Sequence, residues 1–229
     1  MATGYTIYPD TVNFYVASGA GLTWSALRDG SSGVVTGVGV NLATARHSIF
    51  QGGGNYSFTR TYIQFNISSV TEPITSMQLY LQGTTGFTPG DTTYVAYAGS
   101  KNGLNNTAGD YESYIVNLAN GTGAELSTIV LQGNQYVSCD IDITAYPIFG
   151  DGPRRPTYQY YNVALVADDD FLNNINRTFA DTRINNSSGR YPYLVINGGY
   201  ANNVIGVPGA SITTVSGVPS ANITNIMGV

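Results

Sequence analysis

Charge is scarce in this chain. Charged residues make up 10% of its 229 residues, and Lys101 is the only lysine, whereas ordinary soluble domains carry roughly 25% charged residues. Nucleic-acid binding draws its affinity from Lys and Arg side chains that displace counterions from phosphates. The clustered arginines, Arg154 and Arg155, lie between Pro153 and Pro156 in loop-like sequence, and the formal net charge is −5. That balance argues against a nucleic-acid partner. Cys139 has no second cysteine, which excludes an intrachain disulfide. No apolar run approaches the length of a membrane span. The start, Met1-Ala2-Thr3-Gly4-Tyr5, lacks the basic-then-apolar pattern of a signal peptide. The expectation is a soluble product made in a cytoplasm, with no membrane partner. Asn-x-Ser/Thr triplets, as at Asn66, Asn120 and Asn222, are then read as chance and not as glycosylation.

Catalytic residue types are equally thin. His47 is the only histidine, so any Ser–His–Asp or Cys–His triad must use it. It stands in a Gly-rich stretch with no local motif. Cys139 falls on the apolar face of its strand and reads as a core thiol. Of the three glutamates, Glu112 and Glu125 lie in a long polar stretch with Asp110, a polar loop and not a glycosidase pair facing one cleft. The expectation is a protein that is not an enzyme.

Alternation of apolar and polar residues is abundant, and hydrophobic residues make up 42%. Val12, Phe14 and Val16 oppose Asn13 and Tyr15; Ile63, Phe65 and Ile67 oppose Arg60, Tyr62, Gln64 and Asn66. Met77, Leu79 and Leu81 oppose Gln78 and Tyr80; Val137, Cys139, Ile141 and Ile143 oppose Ser138, Asp140 and Asp142. A period of two predicts strands with one buried and one wet face. Residues 160–167 are apolar on both faces, which predicts a central strand covered on both sides. Residues 93–98 and 191–196 predict two further strands. Thr23 to Gly30 predicts a short helix with Thr23 as its N-cap, and Thr144 to Phe149 a single turn. Helix is otherwise scarce, so a parallel α/β fold is excluded. Two polar stretches, Gly30 to Ser57 and Gly99 to Glu125, read as long loops. The predicted class is all-β: an antiparallel β-sandwich of jelly-roll type over residues 1–198, with a short C-terminal repeat tail over 199–229.

The tail repeats at eleven residues. Val204, Val215 and Ile226 are in register, as are Gly206, Gly217 and Gly228, and Val207, Val218 and Val229. Pro208 and Pro219, Ala210 and Ala221, and Ile212 and Ile223 keep the same spacing. Gly and Pro in each unit exclude a helical coil, so an extended or turn-rich element is expected. One copy cannot bury its apolar side alone and must stack on something. The apolar positions Val204, Val207, Ile212, Val215, Val218, Ile223 and Ile226 are therefore read as an assembly surface.

Arg60-Thr-Tyr-Ile-Gln-Phe-Asn-Ile-Ser-Ser followed by Ile74-Thr-Ser-Met-Gln-Leu-Tyr-Leu resembles the DNRLRE-type jelly-roll domains, which are grouped with carbohydrate-binding modules. Cys139-Asp-Ile-Asp-Ile-Thr, Asn162-Val-Ala-Leu-Val and Tyr191-Pro-Tyr-Leu-Val-Ile look like that family's later strands, in order, over roughly residues 5–197. Where the family often has Phe-x-Ser-x-Glu, this chain has Phe179-Ala-Asp-Thr-Arg183. The Trp24-Ser-Ala-Leu-Arg-Asp-Gly segment and the tail look similar to proteins of bacteriophage particles. The resemblance implies a non-enzymatic virion protein: a head fibre, decoration protein or tail-fibre component. Its partners would be itself (a trimer, by analogy with fibres), other virion proteins and a host-surface glycan. The alternatives are a carbohydrate-binding module of a bacterial surface or polysaccharide-degrading system and, last, a polysaccharide lyase using Tyr and Arg.

Two candidate sites accompany this reading. Among eighteen tyrosines, Tyr94 and Tyr97, and Tyr158 and Tyr160, offer rigid amphipathic faces for stacking on sugars; the alternative is half-buried strand packing. Asp168-Asp169-Asp170 ends the central strand. It reads as a solvated turn, or as calcium ligands Asp168 and Asp170 shared with another loop; no cofactor is otherwise implied.

Overall fold

The computed structural model describes residues 3–19, 22–28, 35–40, 44–52, 55–71, 74–84, 92–97, 125–143, 159–172, 179–198, 214–215 and 218–219. The protein is mostly β, built from two antiparallel sheets. The smaller sheet has the order β1 (Thr3–Ile7), β12 (Tyr193–Gly198), β6 (Ile74–Gln82) and β9 (Tyr136–Ile141). The larger has the order β11 (Phe179–Asn185), β4 (Thr44–Gly52), β5 (Asn55–Asn66), β10 (Tyr160–Ala167), β7 (Thr92–Tyr97) and β8 (Glu125–Val130). Off that path, β2 (Pro9–Gly19) pairs with β5, and β3 (Val35–Val40) pairs with β2.

The larger sheet forks on β5. One edge of this 12-residue strand pairs with β2 from Tyr56 to Phe65. Its other edge is divided: Asn55 to Thr59 pair with β4, and Thr61 to Asn66 pair with β10. Arg60 stands at the division. Gly30 to Ser57, expected to be loop, instead supplies β3, β4 and the start of β5. Its alternation is obscured by Gly and Ser, yet both strands find ladder partners in neighbours remote in sequence. The stretch from 99 to 124 and the expected turn at 144–149 lie outside the described residues.

The two sheets face each other across a shared core, as a sandwich requires. Ile63, Phe65, Val163 and Leu165 from the larger sheet meet Met77, Leu79, Leu194 and Ile196 from the smaller. Burying side chains of this size stabilises by about 1.5–3 kcal/mol each. Cross-links join the sheets at both sides. The Asn185 side chain donates to Gln82 Oε1 at 3.0 Å and to the Gly83 carbonyl at 3.2 Å. On the other side the Asp142 amide donates to the Leu126 carbonyl at 3.0 Å.

β6 and β9 have the one-sided burial that the alternation predicts, and β10 is buried on both faces. For β2 and β5 the expectation of a wet face was wrong. Tyr15 and Tyr62, on the face read as polar, are fully buried, and so is Phe58. They form a second core with Trp24, Leu27, Ile49, Ala96, Ala164 and Val166. The small side chains of Ala96 and Ala164, paired across β7 and β10, leave room for Tyr15 and Tyr62, whose rings meet edge-on at 5.0 Å. The cover is supplied by two short helices, α1 (Trp24–Arg28) and α2 (Asp168–Leu172). The N-cap of α1 is Thr23, as predicted, with the Ala26 amide donating to Thr23 Oγ1 at 3.2 Å. Among the described residues no helix is long and apolar enough to cross a membrane.

In the tail, β13 (Thr214–Val215) pairs with β14 (Val218–Pro219) as a hairpin with a two-residue connection.

Candidate functional site

Five tyrosines gather at one end of the smaller sheet. Leu194 and Ile196 point into the core, so the period of two turns Tyr193, the first residue of β12, outward. Its register partner on β6 is Tyr80, and the two rings stack at 4.6 Å and 6°. Tyr136 opens β9 and meets Tyr193 at 5.4 Å. Tyr8 lies where the chain leaves β1 in the smaller sheet and enters β2 in the larger. Its ring is 6.0 Å from Tyr193 and 6.4 Å from Tyr191. Tyr193 is thus the hub of the group.

Two left-handed turn residues place the outer tyrosines. Asn134, at φ 58°, precedes Tyr136, and Gly189, at φ 76°, precedes Tyr191. The Arg190 amide donates to the Ser187 carbonyl at 2.8 Å, closing a four-residue turn with Gly189 at its third position, where glycine is favoured. The Tyr136 hydroxyl donates to the Tyr191 carbonyl at 2.9 Å and ties the two turns together.

Between these rings lies an open cleft of about 670 Å³, lined by Thr6, Tyr8, Pro9, Tyr136, Gly189, Tyr191 and Tyr193. That is within the usual size of small-ligand sites, roughly 300–1,000 Å³. Tyr8, Tyr136 and Tyr191 are exposed large aromatics, Tyr8 at 58%. Burial, reinforced by neighbouring phenols, pushes the Tyr136 and Tyr193 hydroxyls above their ordinary value. They stay protonated at neutral pH and act as neutral donors and acceptors. A phenol shifted upward is a poor general base. No carboxylate, histidine or cysteine is among the lining residues, so what the described cleft offers chemically is aromatic faces rimmed by hydroxyls. Beside it, the face of the sheet carries a polar network. Gln78 Nε2 donates to Asp140 at 2.8 Å, the Tyr80 hydroxyl donates to Gln78 Oε1 at 3.2 Å, and Asn197 donates to Ser76 at 2.9 Å.

The residues singled out from sequence lie elsewhere. Tyr94 is half-buried and stacks on Phe171 at 4.3 Å, packing α2 onto the larger sheet. Tyr160 is half-buried at the start of β10, its hydroxyl accepting from Gln159 at 3.1 Å. Tyr97 ends β7, and Tyr158 lies outside the described residues. His47 is in β4 opposite Thr182. Cys139 is buried, and burial pushes its thiol up.

The acidic triplet is not a solvated turn, since Asp169 and Asp170 are buried. It begins α2, with Asp168 Oδ1 accepting from the Asp169 amide at 2.8 Å. Asp170 is buried, and its two oxygens accept from Arg60 Nε and Nη2, each at 2.8 Å. Each Asp170 oxygen is thus engaged by the Arg60 guanidinium, whose positive charge repels a cation there. No group of three His, Cys, Asp or Glu side chains suited to a metal occurs among the described residues. Of the tail positions, Val215 and Val218 pair directly across the hairpin. Val204, Val207, Ile212, Ile223 and Ile226 lie outside the described residues.

The cleft was missed because its tyrosines are scattered from position 8 to position 193, and the one pair at alternating spacing, Tyr191 and Tyr193, gives no sign of Tyr8 or Tyr136 beside it. A usable signal was present: Asn134 and Gly189 each stand two residues before a tyrosine. No protein-family model matches this chain, and neither does any curated protein.

Proposed function

We propose that this protein is a non-enzymatic binding module that holds a carbohydrate in the tyrosine cleft. The observation that carries this reading is the convergence of Tyr8, Tyr136, Tyr191 and Tyr193 on one open cavity. Phenol rings give flat apolar faces to the C–H side of a sugar ring, and their hydroxyls meet its polar edge. The cleft lining and the upward shift of its phenols support binding over acid–base chemistry. We place the module on a bacteriophage particle, as a head fibre, decoration or tail-fibre component of jelly-roll type made in the host cytoplasm and contacting a host-surface glycan. Its scarcity of charge and its tail motivate that placement. The alternative setting is a bacterial surface or polysaccharide-degrading system, with the same cleft.

A glycan array tests the binding reading. Truncating a central aromatic anchor costs about 2 kcal/mol or more, so Tyr193→Ala should weaken the captured glycan about 30-fold. An array without hits, or hits indifferent to Tyr193→Ala and Tyr8→Ala, would remove the cleft from consideration.

A second reading concerns the tail. The β13–β14 hairpin falls within the repeated Val-x-Gly-Val-Pro unit. A sequence unit repeated at a fixed spacing offers the same residues again and again, which favours closed assembly with sister chains, a trimer by analogy with fibres. Light scattering on the intact chain and on Val215→Asp/Val218→Asp checks it. Identical masses for the two would argue against assembly through this unit.

A further inference from the structure

We infer that the cleft takes a pyranose bearing a carboxylate, such as a uronic or nonulosonic acid, with Arg190 as its counter-ion. This rests on the carbohydrate reading above and specifies its ligand.

Arg190 stands between Gly189 and Tyr191, both of which line the cleft. Its backbone is fixed by the turn to Ser187, and the residue is exposed. Arg28 and Arg60 are both ion-paired with Asp170, whereas Arg190 has no ion pair with a described residue. It adjoins Tyr191, whose carbonyl accepts from the Tyr136 hydroxyl at 2.9 Å, and its charge opposes the upward shift of that phenol.

The lining itself is neutral, with no carboxylate to neutralise or repel a bound anion. A guanidinium matches a carboxylate through two parallel hydrogen bonds, which a lysine ammonium does not do. The hydroxyls of Tyr8 and Tyr193 make no hydrogen bond with a described residue. They remain available to the ring hydroxyls of a sugar. The chain as a whole is acidic, at −5, so long-range attraction does not favour an anion and any preference must come from this local cation. A neutral sugar would use the rings and leave the guanidinium solvated; an acidic one uses both.

Calorimetric titration of the full chain distinguishes these cases. The probes are sialyllactose and trigalacturonate, each beside its methyl ester, which removes the charge and keeps the shape. Wild type should bind the acids about tenfold more tightly than the esters, the scale of one charge-assisted pair. Added salt should narrow the gap. Arg190→Gln should bring the acids down to the level of the esters. Equal affinity of wild type for acid and ester, or an unchanged preference in Arg190→Gln, overturns the acidic-sugar inference and leaves the cleft standing. Failure of every acid and ester to bind, or binding indifferent to Tyr193→Ala, overturns the cleft reading and this inference with it.

Discussion

Replacing Asp170 by Asn should be among the most damaging single changes in the protein, although it alters one atom. Asp170 and Arg60 have side chains that are 2% and 0% exposed. Their two 2.8 Å hydrogen bonds are charge-assisted and bidentate. Arg60 Nη2 also donates to the Arg28 carbonyl at 2.8 Å. Arg28 in turn donates to the carbonyls of Asp170 and Phe171 at 2.6 and 3.1 Å. The pair thereby joins the end of α1, the start of α2 and the point where β5 divides. Asparagine keeps one acceptor and turns an NH2 group toward a buried guanidinium. Breaking a buried pair from one side costs about 3–5 kcal/mol, because the remaining charge is left uncompensated. For a chain of this size each kcal/mol shifts Tm by about 2–4 °C, so a fall of about 6–20 °C is expected. Arg60→Met should cost a similar amount. The double variant Arg60→Met/Asp170→Leu removes both charges and should be far less destabilised than the sum, with a coupling of about 3 kcal/mol. Urea unfolding followed by fluorescence of Trp24, the single tryptophan, reports it directly, since Trp24 packs in the same core. Single variants costing under about 1 kcal/mol, or a double variant equal to their sum, would refute the argument.

Gly189→Ala should cost about 1–2 kcal/mol in backbone strain alone, since a Cβ there meets nothing within 4 Å. It should also weaken glycan binding by displacing Tyr191; chemical denaturation and titration measure the two effects. The phenol shifts set a pH window. Tyr136 and Tyr193 have folded values above the ordinary 10.0, so their contribution to stability is present below pH 10.0 and is lost as the pH rises through the folded values. Affinity should be flat around neutrality and fall in strong alkali, with ultraviolet difference spectra showing these phenols titrating late. Cys139 should react with a thiol reagent slowly in the native protein and at once after denaturation, because burial holds it as a protonated thiol; fast native labelling would contradict its placement.

Much of the inter-sheet core was legible in the alternation. In β9, and in β6 from Met77 to Leu81, a residue's parity decides whether it is buried in the core. The same rule failed on β2 and β5, because Arg60, Tyr62 and Tyr15 are polar by type yet lie under α1 and α2. Parity states which residues share a face and says nothing of what covers it. β4 and β11 escaped notice for a related reason. They pair with each other from Thr44 to Phe50 and Asn185 to Phe179, across a long stretch of chain, and neither has a strong pattern of its own. The tyrosine cleft was illegible as a group because only tertiary contact brings its members together. The acidic triplet misled, since adjacent carboxylates look solvated until the buried arginine that one of them meets is known.

The pairing of β1 with β12 has a consequence for how the molecule comes into being. Thr3 to Ile7 are synthesised well before their ladder partners among the described residues, Leu194 to Gly198. At translation rates of about 5–20 residues per second, that first strand waits roughly 10–40 s for its neighbour. Pairings this remote in sequence also place the chain among slow folders. The cleft shares the delay, because Tyr8 meets Tyr191 and Tyr193 only when β12 is in hand. A chain terminated before Tyr191 therefore lacks the tyrosine cleft, and under the carbohydrate reading proposed above retention on a glycan column would separate finished molecules from fragments.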